Sequence, residues 1–94
     1  MSRAKYIVVQ VNSNSMPYAV TFPPWEQHVD MARRCIGEYR VIKECIVGAG
    51  EFQVYTDKDG ELNVCCFGKS TSLQIESRAD IDARILEASI FGQN

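Results

Sequence analysis

The sequence predicts an α+β domain: an antiparallel sheet of about five strands with two helices packed on one face, in the order ββαβββα. Three observations predict this class. β-branched residues are concentrated near the N-terminus, a turn-forming loop divides the middle of the chain, and two segments repeat apolar residues at helical spacing. Residues 1–94 are too few for two independent cores, so we expect a single domain.

The first two strands are predicted to form a hairpin. The segment Ala4 to Val11 is apolar at most positions on both of its faces, which is typical of a strand buried on both sides. Residues 12–17 are mostly turn-forming Asn, Ser and Pro, and apolar residues alternate again from Tyr18 to Phe22. We therefore expect the second strand to return beside the first.

The first helix is predicted to begin at Pro24, because the missing N–H of proline needs no partner at the first helical position. One apolar stripe of this helix is formed by four residues: Trp25, Val29, Ala32 and Ile36. Gly37 is expected to end it. The segment Tyr39 to Val47 fits a strand or a continued helix, and we favour a strand because Gly37 would cost about 1 kcal/mol inside a helix.

A second hairpin is predicted in the middle of the chain. The run Thr56-Asp-Lys-Asp-Gly60 is typical of a hairpin loop, and it separates the strand patterns Phe52 to Tyr55 and Leu62 to Phe67. Leu73 and Ile75 indicate a short further strand.

The last helix, predicted from Ser77 to about Phe91, carries two apolar stripes. The first consists of Ala79, Ala83, Leu86 and Ile90, and the second of Ile81, Ile85 and Ala88. One stripe can cover the sheet. The other needs a further neighbour, because a solvated apolar stripe forms a patch that monomers usually avoid. That neighbour is either another part of this chain or a second protein.

The charge balance argues against nucleic acid as a partner. The chain has 10 basic and 12 acidic residues, a net charge of −2, and no basic run longer than Arg33-Arg34. Nucleic-acid affinity depends on clustered cations that displace counterions.

No segment reaches the ~20 apolar residues of a membrane span. We therefore expect no membrane partner and a cytoplasmic location, where the four cysteines stay reduced.

Residues that could bind a metal or carry catalysis lack the spacing that these functions need. Zinc sites use three or four ligands, usually with close pairs such as C-x-x-C, whereas adjacent Cys65 and Cys66 would point to opposite faces of a strand. His28 and Cys35 share a helix face but lie about 10 Å apart along its axis, beyond hydrogen-bond reach. We expect no metal, no cofactor and no catalytic residue, so an enzyme is the less favoured alternative.

Four short motifs carry a resemblance to a group of known proteins. They are Phe22-Pro-Pro-Trp-Glu-Gln-His28, Gly48-Ala-Gly-Glu-Phe52, Cys66-Phe-Gly-Lys-Ser70 and Ser72-Leu-Gln-Ile-Glu-Ser-Arg78-Ala-Asp80. Over residues 20–91 the chain resembles small uncharacterised bacterial proteins found in phage, plasmid and other mobile-element gene sets. The resemblance implies a small accessory protein and supplies neither an activity nor a catalytic residue.

Together these observations predict a small, non-enzymatic protein-interaction module that forms a homodimer or binds another protein. The expected partner-binding residues lie on the last helix: Ile81, Ile85, Ala88 and Phe91. The alternative is a small-molecule binder, or a small cysteine-dependent enzyme, with a pocket near Trp25 and His28.

Overall fold

The computed structural model describes residues 3–36 and 45–91. The α+β class is confirmed, and the predicted order ββαβββα matches once a short additional strand is included. In chain order the elements are β1 (Ala4–Val9), β2 (Tyr18–Phe22), α1 (His28–Ile36), β3 (Ile46–Thr56), β4 (Leu62–Phe67), β5 (Lys69–Ser70), β6 (Ile75–Glu76) and α2 (Ala79–Phe91).

The described strands form a four-stranded antiparallel sheet in the order β2-β1-β3-β4, and β5 pairs with β6 in a separate two-stranded ribbon. Both predicted hairpins, β1–β2 and β3–β4, are confirmed. Residues 6–9 of β1 are fully buried. This burial agrees with the predicted strand that is apolar on both sides.

Within the described residues, helices α1 and α2 lie on opposite faces of the sheet, so the prediction that both helices pack on one face is wrong. Ile7 of β1 packs in a cluster with Ala32 of α1, whereas the preceding Tyr6 packs with Leu86 of α2. Successive residues of a strand point to opposite faces. Because β1 is apolar at consecutive positions, each face of the sheet needs its own cover.

The first helix begins later than the sequence predicts. Pro24 lies in a turn, and the carbonyl of Gln27 accepts hydrogen bonds from the amides of Asp30 and Met31, which places the start of α1 at His28. Trp25 therefore lies outside the helix and is 78% exposed. The segment Tyr39 to Val47, predicted as a strand, falls mostly outside the described residues, and only its last two residues are seen in β3.

The loop between β3 and β4 is held by the side chain of Asp57. Its Oδ1 accepts the amides of Asp59 at 2.9 Å and Glu61 at 3.0 Å, and its Oδ2 accepts the Asn63 amide at 2.8 Å. Gly60 adopts a φ of 84°, which favours glycine. These contacts account for the hairpin that the sequence pattern predicts.

Candidate functional site

Helix α2 is fixed to the sheet by a buried polar network centred on Asp82. The Tyr6 hydroxyl donates to Asp82 Oδ2 at 2.6 Å, and the Arg78 backbone amide donates to the same oxygen at 2.9 Å. Arg78 Nε donates to Oδ1 at 3.0 Å, and Arg78 Nη2 lies 2.9 Å from Oδ1 as an ion pair. The carboxylate is fully buried, and these donors offset the cost of removing its charge from water.

Two neighbouring residues complete the network. The Tyr6 hydroxyl donates its only hydrogen to the Asp82 carboxylate, which can only accept. The Ser77 hydroxyl must therefore be the donor in its 2.7 Å hydrogen bond with the Tyr6 oxygen. Burial, followed by the hydrogen bond to Asp82, raises the pKa of Tyr6 far above its usual range. A Cβ on Gly48 would lie 2.6 Å from Asp82 Oδ1, so the absence of a side chain there makes room for the carboxylate.

The network is a structural anchor, because Tyr6 and Asp82 are both fully buried and no substrate can reach them. The sequence pattern did not predict this network, because only apolar stripes were identified on the last helix. The available signal was the Arg78-x-x-x-Asp82 spacing, which places opposite charges on one helical face. The pattern could not show that Tyr6 and Gly48 lie opposite that face.

The four residues predicted to bind a partner occupy the outer side and one flank of α2. Ile81 is 54% exposed, and Ala88 and Phe91 are also exposed. Ile85 is half-buried and packs against the apolar cluster beneath the helix. Of the first predicted stripe, Leu86 is fully buried in that cluster and Ala83 packs against it.

An apolar groove lies between α2 and the residues that precede β2; we call it the α2–β2 groove. It is open, has a volume of about 280 Å³, and is lined by Met16, Pro17, Arg84, Ile85, Ala88 and Ser89. Met16, at its rim, is 86% exposed. The structure thus brings two predicted residues, Ile85 and Ala88, together with two that sequence analysis did not single out, Met16 and Pro17.

A second cleft, the His28 cleft, lies on the α1 face of the sheet. It has a volume of about 430 Å³, and its lining includes Lys5, Gln27, His28, Glu51, Lys69 and Ser72. Trp25, the other residue of the predicted pocket, does not line it. The two residues of the predicted pocket are therefore separated: His28 is buried and Trp25 projects into solvent.

The surroundings of His28 determine which ring nitrogen carries the hydrogen. His28 Nε2–H donates to the Gly50 carbonyl oxygen at 2.9 Å, and the ring packs edge-on against Phe22 with centroids 5.2 Å apart. Burial lowers the pKa of His28, and the nearby ammonium of Lys5 acts in the same direction. The imidazole is thus neutral at pH 7, with Nδ1 as a hydrogen-bond acceptor.

The cysteines give no support to the enzyme alternative. None of the described cysteines lines the His28 cleft. Cys45 and Cys66 are buried, and burial raises the pKa of the Cys66 thiol to about 12, which is the opposite of thiolate activation. Within residues 3–36 and 45–91, no three His, Cys, Asp or Glu side chains are grouped as metal ligands would be.

None of the described helices is both long enough and apolar enough to cross a membrane. A comparison of the chain with protein-family models, curated proteins and solved structures finds no significant match. The resemblance to small mobile-element proteins therefore remains a prediction from short motifs, and inferences about function rest on the geometry of the molecule itself.

Proposed function

We propose that this protein is a non-enzymatic protein-interaction module that forms a homodimer through the α2–β2 groove and the neighbouring outer residues of α2. The main supporting observation is the apolar surface that joins Met16, Ile81, Ile85 and Ala88, with Met16 86% and Ile81 54% exposed. Burying such surface stabilises an association by roughly 25 cal/mol for each Å² removed from water.

The edge strand beside the groove supports a second copy as the partner. Among the described strands β2 pairs only with β1, and its sequence YAVTF contains no charged side chain. Charged residues on an edge strand usually prevent edge-to-edge pairing, and β2 lacks this protection. Two copies that meet through the same surface form a closed dimer, whereas contacts between unlike surfaces build rings or open chains.

The buried network prepares α2 for binding. Asp82 and Arg78 fix the first turn of the helix to Ser77 and Tyr6, so the outer residues are held in place before a partner arrives. A preformed surface loses less conformational entropy on association than a mobile one. The cytoplasmic location and the mobile-element setting belong to this proposal on sequence grounds alone.

The matched pair Ile81→Asp and Leu62→Asp tests the homodimer. Ile81 and Leu62 are almost equally exposed, at 54% and 55%, but only Ile81 lies on α2. We expect Ile81→Asp to halve the mass measured by light scattering and Leu62→Asp to leave it unchanged, because a charge on α2 would be buried without a partner in the dimer. Ile85→Asp is a poorer choice because Ile85 also packs in the core.

Circular dichroism of both variants checks that they remain folded. A folded Ile81→Asp variant with the unchanged dimeric mass would overturn the proposed surface. If the unmodified protein is a monomer, the proposed homodimer is wrong. The same surface would then have to bind a different protein.

A further inference from the structure

We propose that the His28 cleft binds a small zwitterion that carries an ammonium group and an acidic group, as a free amino acid does. This inference goes beyond the proposed interaction function. The cleft lies on the α1 face of the sheet, since Lys5 and Glu51 alternate with residues that contact α2. Dimerisation and ligand binding therefore use opposite sides of the molecule.

His28 requires a hydrogen-bond donor from any ligand that reaches its ring. The His28 side chain is only 5% exposed, and its Nε2–H donates to the Gly50 carbonyl. The neutral ring can therefore bind a ligand only by accepting a hydrogen bond at Nδ1. Nδ1 has no hydrogen-bond partner among the described residues, and His28 lines the cleft. A bare anion could not satisfy this acceptor.

The charged residues around the ring are not paired with each other. Lys5 and Glu51 are direct cross-strand neighbours of opposite charge, an arrangement that usually produces a contact. Instead, Lys5 Nζ donates to the Glu26 carbonyl at 2.9 Å. In the described parts of the chain Glu51 has no ion pair or side-chain hydrogen bond, although its charge is close enough to affect His28.

The cleft therefore contains both hydrogen-bond acceptors and hydrogen-bond donors. Glu51 and His28 Nδ1 accept, which suits a ligand ammonium group. The Lys69 ammonium can donate, which suits a ligand carboxylate or phosphate. The Ser72 hydroxyl is already hydrogen-bonded to the Val29 amide and the Ser70 hydroxyl. A simple anion would face Glu51 and the Nδ1 lone pair, and a simple cation would face two lysines, so a ligand with both charges fits best. The volume, about 430 Å³, is within the roughly 300–1,000 Å³ of small-molecule sites.

The single histidine of the chain provides a direct probe of binding. We would follow the ¹⁵N resonances of His28 by NMR while adding each common L-amino acid in turn to 10 mM. We expect at least one to shift the Nδ1 resonance saturably, and acetate, methylammonium and trimethylglycine to do so at least about tenfold more weakly. Trimethylglycine keeps both charges but has no N–H to donate. No shift with any amino acid, or an equal shift with acetate or trimethylglycine, would overturn the assignment.

Charge-removing variants test whether the acidic and the basic residue of the cleft both contribute to binding. We expect Glu51→Gln and Lys69→Gln each to weaken binding of the responsive amino acid by about tenfold or more. The same changes at the exposed β3–β4 loop, Glu61→Gln and Lys58→Gln, serve as controls and should have no effect. Binding that survives both cleft variants would contradict the proposal. Light scattering distinguishes a failure of the proposed ligand site from a failure of the proposed homodimer, because the cleft variants should not change the mass of the protein.

Discussion

At the scale of single residues, Asp82 has the largest predicted effect on stability. It is a fully buried carboxylate that accepts hydrogen bonds from Tyr6 and Arg78. Removing one partner of a buried ion pair is destabilising, because the remaining charge keeps its desolvation penalty. Removing Asp82 leaves the Tyr6 hydroxyl and the Arg78 guanidinium without the carboxylate that accepts their hydrogen bonds. Arg78 is partly exposed and regains only some hydration, so both groups contribute to the loss of stability.

We predict that Asp82→Ala lowers the free energy of unfolding by about 3 kcal/mol, within the range seen for broken buried pairs. The matched control is Asp80→Ala, in the same first helical turn but exposed, which should lower stability by no more than about 1 kcal/mol, the usual effect of an anion near a helix N-terminus. Urea denaturation followed by circular dichroism measures both values. Equal effects of the two substitutions would show that the buried network does not anchor α2.

His28 is predicted to make folding sensitive to pH. Its folded-state pKa lies below the unfolded value of 6.5, mainly because of burial, so the unfolded chain binds the proton more readily. Stability is therefore fully retained above pH 6.5 and decreases as the pH falls from there through the lower folded pKa. Comparing urea midpoints at pH 7.5 and 5.5 should reveal a loss that is absent in His28→Gln. An equal loss in this variant would assign the effect to other groups.

At the scale of elements, the strands were more predictable from sequence than the helix ends. Turn-forming loops between apolar, strand-like segments identified both hairpins, and alternation within β2 supported the first of them. The preference of proline for the first helical position predicted that α1 starts at Pro24. The helix begins at His28 instead, and the Gln27 carbonyl accepts the hydrogen bonds of its first turn. Local rules permit several starting points, and tertiary packing selects among them.

Strand β4 offers a test of this alternation, because Cys65 and Cys66 are adjacent and point to opposite faces. We predict that a neutral thiol reagent modifies Cys65 readily in the folded protein and modifies Cys66 only on unfolding. Burial excludes the reagent from Cys66 and also raises its pKa to about 12. Peptide mass mapping with and without urea separates the two sites. Early labelling of Cys66 would contradict the register of β4.

At the scale of the whole molecule, the four-stranded sheet lies between α1 and α2 in the described part of the chain, with an apolar cluster on each face. Composition and periodicity predicted the α+β class but placed both helices together, although consecutive apolar residues in β1 already indicated that both faces need cover. The candidate site was predicted less completely. Its helical residues followed from periodicity, whereas Met16 and the charged residues of the His28 cleft are brought in by contacts between distant segments.

The apolar surface beside β2 is the feature on which the proposed function depends. Light scattering of the unmodified protein over a concentration series tests it most directly. We predict a mass of twice 10.6 kDa at high concentration, with conversion to the single-chain mass on dilution or on introducing Ile81→Asp. A mass of 10.6 kDa at every concentration, with the protein folded, would contradict the homodimer.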